Sequence, residues 1–506
     1  MRTRAVLVVL AMVLLAGCSL PAFSSSGGTT NDAVESPAPG TDGVREDPDS
    51  DVKGWENGVW YDESLAIDAT DGLNESELAL VVNRSMARVE YVRNVEFDRR
   101  VPVSVITREE YANRNADGDG GSGAEAAAVR ESVRLEALFL VGESTDAQQE
   151  QEETRSASVQ GFYSPSKDEI TIVAPSDTPV VDEVTLAHEL VHAYQFRGNI
   201  EVRFPESPTR DERRALVAVI EGDANFVDGK VADRCGSAWT CVQPGDDAAD
   251  ATADDDTETA STTASTARAP RPNMGLYLLS YFPYAEGEEL VAQTKDDGGW
   301  AAVNDLYGDP PASTEEVIHR VDDEPTSASV PDRSGDAWSR VGSGSSGVVM
   351  GEADLATMFA ATLYDDREGS MVTREQFLTE DGPVPIDYDL PPSAGWDGDV
   401  FHAYERADDD TGFVWRLEFD SDAEATEFAV AYRDLLRYHD AERERTGVFV
   451  VPEGPFADAF YVNVDGSRVT IVNAPTVDDL GDVHGPAGSD ASVRSVDERR
   501  ARPLAR

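Results

Sequence analysis

At 506 residues the chain exceeds what one hydrophobic core ordinarily supports, roughly 250 to 300 residues, so two or more domains are expected. Its 42 Lys and Arg stand against 98 Asp and Glu, a net charge of −56 at pH 7, which argues against nucleic acid as a partner because phosphate binding needs clustered cations. A hydrophobic fraction of 40% still supplies substantial cores, so wholesale disorder does not follow from the acidity.

The chain opens with cationic Arg2 and Arg4, an uninterrupted apolar run from Ala5 to Leu15, and then Ala16-Gly17-Cys18. Eleven apolar residues are too few for a helix across a hydrocarbon core of about 30 Å, and the pattern reads as a signal peptide over 1–18. It resembles lipoprotein signals, which implies cleavage before Cys18, a lipid on that cysteine, and a chain anchored in the cell membrane facing outward. Residues 19–54, rich in Ser, Gly, Thr, Pro and Asp, read as a disordered tether.

A body over 55–380 follows. Apolar residues at helical spacing (Leu78, Val81, Val82, Met86, Val89) predict a helix over Glu75–Tyr91, and Val101–Ile106 reads as a strand. Two short runs, Val159–Phe162 and Ile170–Val173, predict a hairpin, followed by a helix through Thr185–Tyr194 and a second over Asp211–Gly229. Cys235 and Cys241 are placed for a local disulfide if the chain is exported. Residues 243–272 hold no apolar side chain large enough to build a core and read as a disordered insertion. Helices are expected over Asn273–Leu290 and Glu352–Leu363, and Pro383–Pro392 reads as a linker.

A small α+β domain is expected over 393–480. Phe413, Trp415, Leu417 and Phe419 alternate as in a strand with one buried face, and Ser421 with Glu424 caps a helix through about Tyr438. Asp465-Gly466, between Ala459–Val464 and Arg468–Val472, predicts a hairpin with positive φ at both turn positions, completing a β-α-β-β order. Residues 481–506 read as a flexible tail.

The chemistry concentrates in His188-Glu189-Leu190-Val191-His192. On a helix, two imidazoles four residues apart leave the same face and share a metal ion, and Glu189 beside them is placed to take a proton from water. The plain alternative is a capped helix whose histidines face solvent. A zinc site needs a third protein ligand, and the second helix offers two carboxylates, Glu221 and Asp223. His319, Tyr194, Tyr281 and Tyr284 are candidate hydrogen-bond donors to a developing oxyanion, with ordinary packing as the competing role for each. His402, His439 and His484 have no metal spacing.

With His188-Glu189-x-x-His192 and Glu221-Gly222-Asp223-Ala224 the sequence resembles the gluzincin class of zinc metallopeptidases. The resemblance implies a zincin-like, mainly helical domain with a small N-terminal sheet whose edge strand holds extended substrate. It also implies Zn2+ held by His188, His192 and Glu221, with Glu189 as general base. The gap of 29 residues from His192 to Glu221 is longer than in the best-known members, and their Asn-Glu-x-x-Ser-Asp motif is absent. A metzincin continuation fails, since Gln195 stands where Gly is required. Tyr281-Phe282-Pro283-Tyr284-x-x-Gly287 and Pro310 to His319 resemble segments that accompany HExxH in bacterial and archaeal surface proteins, and with them the chain resembles haloarchaeal HExxH surface lipoproteins. The scarcity of lysine, four against 38 arginines, fits a salt-adapted chain whose self-repulsion is screened at molar salt.

The expected function is therefore a membrane-anchored extracellular zinc metallopeptidase acting on a peptide or protein substrate, with catalytic Glu189 and His319. The rival is a non-catalytic surface binding or structural lipoprotein that keeps a zinc-stabilised scaffold. Oligomeric state, cleavage preference and the role of the C-terminal domain are not written in the sequence.

Overall fold

The computed structural model describes residues 45–69, 71–115, 124–174, 181–243, 272–342, 347–379 and 385–488. The expected signal peptide with Cys18, residues 19–44 of the tether, positions 244–271 of the insertion and the tail from 489 onward lie outside the described residues. The fold is α+β, with twelve α-helices and three sheets among the described residues. No helix among them is long and apolar enough to cross a membrane.

In chain order the elements are β1 (Trp55–Glu56), β2 (Val59–Trp60), α1 (Glu75–Arg93), β3 (Val103–Thr107), α2 (Arg108–Asn115), α3 (Ala124–Ala137) and α4 (Ala147–Ser158). Then come β4 (Gly161–Ser164), β5 (Glu169–Ala174), α5 (Glu183–Tyr194), α6 (Arg210–Ala232), α7 (Met274–Gly308) and α8 (Thr314–His319). The remainder is β6 (Trp338–Arg340), α9 (Glu352–Ala360), α10 (Arg374–Phe377), β7 (Trp396–Arg406), β8 (Thr411–Phe419), α11 (Asp422–Tyr438), β9 (Glu442–Arg445), β10 (Val448–Val450), β11 (Ala459–Asp465), β12 (Arg468–Ala474) and α12 (Leu480–Val483). Two compact units emerge: the described residues of 1–116, 158–200 and 224–265, and those of 117–157, 201–223 and 266–506. Helix α6 passes from the second unit into the first at residue 224.

The first unit contains a three-stranded sheet in the order β3-β5-β4. β5 is central because Ile170 to Ala174 is a continuous buried run, as a strand paired on both sides and covered on its faces requires. β3 runs parallel to it and β4 antiparallel, so the hairpin expected ahead of the His188 helix is present, with β4 as the sheet edge. Helix α5 starts at the N-cap Asp182, whose carboxylate accepts from the Val184 amide. It packs on α1, β4 and β5. Cys235 and Cys241 form a disulfide.

The second unit is dominated by a seven-stranded sheet in the order β6-β7-β8-β12-β11-β10-β9, every neighbour antiparallel. Helix α11 covers it, burying Phe428, Tyr432, Leu435 and Leu436 at helical spacing against Trp415 and Phe419. The three expected strands and the helix are there, but β9 and β10 stand between α11 and β11, and the sheet also takes in β7 and, from residue 338, β6. β7 escapes a periodicity search because Asp399 interrupts its apolar pattern. Its buried carboxyl accepts from the amides of Met350 and Gly351 and the Trp415 indole, which satisfies its hydrogen bonding, while burial raises its pKa to about 7.

Two expectations require correction. The β11–β12 turn is Gly466-Ser467, since Asp465 pairs with Arg468; Gly466 alone has positive φ (65°), the pattern of a type II′ turn. Residues 385–392 are not a linker. Tyr388 and Leu390 are fully buried, with Tyr388 donating its hydroxyl to the Leu278 carbonyl and its amide to Glu286.

Candidate metal centre

Helix α5 places His188 and His192 on one face, and α6 brings Glu221 to them. One ligand atom from each of the three residues lies within 4.8 Å of the others, and this is the one such group among the described residues. His188, Glu189, His192 and Glu221 are 5, 2, 3 and 1% exposed, which overturns the alternative of histidines facing solvent. Three ionisable groups this close, with Glu189 buried as well, are rarely buried together unless a charge compensates them.

The ring geometry shows where that charge belongs. His188 Nδ1 lies 2.8 Å from Asp228 Oδ2, an acceptor-only carboxylate, and His192 Nδ1 lies 2.8 Å from Gln195 Oε1. Both Nδ1 atoms therefore carry a proton, so with both rings neutral, as metal ligation requires, the two Nε2 atoms keep their lone pairs. Those Nε2 atoms face each other at 3.1 Å. Two lone pairs opposed at that distance repel, and a cation coordinated by both turns the repulsion into two bonds. The donor set thus fits a metal ion.

Asp228 and Gln195 are the residues that sequence reasoning missed. Asp228 follows Glu221 by seven positions, two turns, so α6 presents both carboxylates on one side: Glu221 toward the ion site and Asp228 toward the back of His188. That i, i+7 spacing was the available signal. Gln195 is still in helical conformation three residues after His192, so i, i+3 spacing sets its side chain against that ring; a π-turn over Gln195–Asn199 follows, with Gly198 at φ 86°. The residue that breaks the metzincin pattern is the one that orients the second histidine.

Asp223, the rival third ligand, is buried elsewhere and accepts the Tyr307 hydroxyl at 2.7 Å. Glu189 lies against the edge strand: a methyl on Gly161 of β4 would stand 3.4 Å from Glu189 Cγ. His319 binds Glu352, Nε2 to Oε2 at 2.9 Å, and this hydrogen bond raises its pKa to about 9. Tyr281 and Tyr284 belong to a ring stack with Tyr277 on α7, and Tyr194 meets Phe97 edge-on. His402, His439 and His484 are buried and pushed down to about 4 by desolvation.

The first turn of α5 is fixed by charge. Glu183 Oε1 accepts from Arg84 Nε and Arg88 Nη1, both at 3.1 Å, and Oε2 accepts from Arg84 Nη2 and the Val242 amide, both at 2.6 Å. Arg88 also donates to the Thr240 carbonyl, tying α1 and α5 to the strand of chain beside the disulfide.

A family model described as a domain of unknown function (DUF8575) matches residues 339–484, which takes in most of the seven-stranded sheet and α11. No curated protein and no solved structure matches the chain.

Proposed function

We propose that the chain is a zinc-dependent peptidase in which His188, His192 and Glu221 hold the ion and Glu189 is the general base. One observation carries the reading: two Nε2 atoms 3.1 Å apart, with both Nδ1 protons engaged behind them and a glutamate of a second helix within reach. Tetrahedral zinc with bonds of about 2.0–2.1 Å separates neighbouring ligand atoms by about 3.3 Å, close to the observed spacing. Zinc held there supplies Lewis acidity, polarising the oxygen of water or of a scissile carbonyl.

Glu189 follows His188 directly, and its buried carboxylate takes a proton from the attacking water and delivers it to the departing amine. β4 is a sheet edge beside Glu189, so an extended peptide adding to it as a further strand would run past the base. Asp228 and Gln195 keep both histidines in the tautomer a metal requires. The membrane anchor at Cys18 and an extracellular place belong to the same proposal, resting on the sequence of residues 1–18 and on the disulfide.

The test is Glu189→Gln in the full chain at molar salt. The substitution is expected to leave the metal content unchanged and to remove cleavage of a denatured protein substrate. Hydrolysis that survives it overturns the catalytic assignment. If the wild type binds zinc stoichiometrically and cleaves no peptide pool, the non-catalytic scaffold takes its place.

A further inference from the structure

Helix α6 meets α7 backbone to backbone. A Cβ built on Gly222 would stand 2.1 Å from the Gly287 carbonyl oxygen, and one built on Gly287 would stand 2.1 Å from the Ala218 carbonyl oxygen. Neither glycine is needed for its φ, since both lie in regular helix; they are there because no side chain fits. Ala218 and Gly222 are one turn apart, so the contact is a stripe along α6. About 80° around the helix from the centre of that stripe stands Glu221, with Asp228 on the same side; about 120° the other way stands Asp223. Asp223 is fully buried and accepts the hydroxyl of Tyr307, which lies in the last turn of α7, beyond the break at Gly299 (φ 68°).

We infer that the Ala218/Gly222–Gly287 contact and the Tyr307–Asp223 hydrogen bond set the rotation of α6, making Gly287 and Tyr307 positioning residues for the metal ligand Glu221. The inference rests on the metal reading above and adds residues outside its ligand set. The stripe fixes the distance between the helices, and the Tyr307 bond resists rolling of α6 about it. The carboxylate of Glu221 lies roughly 6 Å from the helix axis, so a roll of 10° displaces it by about 1 Å. Metal bonds tolerate about 0.2 Å. Rotational control of a few degrees is therefore required, and an unsupported helix face does not supply it.

The experiment measures zinc affinity by competition with a chromophoric chelator, and the d–d absorption spectrum of the cobalt(II)-loaded protein, on the full chain at molar salt. The variants are wild type, Tyr307→Phe, Gly287→Ala and Gly275→Ala. Gly275 lies on α7, where an added methyl meets Leu140 at 2.6 Å, so it serves as a packing control. Tyr307→Phe keeps the ring and is expected to fold even if Gly287→Ala does not. The expected result is a ten- to hundredfold loss of zinc affinity and an altered cobalt spectrum in Tyr307→Phe and Gly287→Ala. Gly275→Ala should lower Tm with affinity and spectrum unchanged. If the wild type binds zinc and Tyr307→Phe matches it in affinity and spectrum, the positioning role is overturned. A folded wild type that binds no zinc overturns the metal reading instead.

Discussion

Glu183→Ala tests how the helix that carries His188 and His192 is anchored. Glu183 is fully buried at the start of α5 and accepts from Arg84 Nε and Nη2, Arg88 Nη1, Ser85 Oγ and the Val242 amide. Both guanidiniums are buried as well, and burial already pulls the Arg88 pKa down to about 10 against the support of Glu183. Truncation removes five acceptor contacts and strands two cations away from water. Breaking a buried pair in this way costs about 3–5 kcal/mol, a large share of the roughly 5–15 kcal/mol that holds a protein folded. Urea unfolding at molar salt should show a lower midpoint with the slope unchanged. A triple variant, Glu183→Leu with Arg84→Met and Arg88→Met, should recover much of the loss, because apolar groups of similar volume need no compensation. A loss below about 1 kcal/mol for Glu183→Ala, or a triple variant as damaged as the single one, would refute this account of the network.

Asp228→Ala should weaken zinc binding about ten- to hundredfold by releasing the His188 tautomer, while Asp228→Asn, which keeps an acceptor oxygen, should cost less; chelator competition reads both. Burial, then the neighbouring Glu90 carboxylate, raises the pKa of Glu56 to about 9. A carboxyl whose pKa is raised on folding contributes stability that is complete below the unfolded value and lost as pH rises through the folded one. Stability should therefore fall between about pH 4.5 and 9, by up to about 1.4 kcal/mol per pH unit for this one group. Glu56→Gln, neutral throughout, should flatten that part of the pH profile measured by urea unfolding; an unchanged slope would exclude Glu56 as its source.

The residues that carry chemistry through their own spacing were legible in the sequence. His188, Glu189 and His192 stand out because helical periodicity alone places them together, and Glu221 because its segment resembles the second gluzincin motif, although Asp211 and Asp223 on the same helix are buried too. What escaped depends on partners distant in sequence. Arg84 and Arg88 lie between the apolar positions of α1, yet both are buried against Glu183, about a hundred residues later. Gly222 and Gly287 look like helix-weakening residues until the two backbones are seen to touch. Asp399 hid β7 by placing a hydrogen-bonded carboxyl in a buried strand, and Tyr388 turned an apparent linker into core through bonds to Leu278 and Glu286. Hairpin and helix boundaries set by local turn and capping chemistry were close to those observed, as with β4–β5 and α11.

The central claim is tested most directly by metal content. Elemental analysis of the full chain, purified at molar salt without added chelator, should find about one zinc per chain in the wild type and almost none in His192→Ala or Glu221→Ala. Wild-type protein that is folded by circular dichroism, carries no metal, and takes up none from a zinc-buffered solution would contradict it.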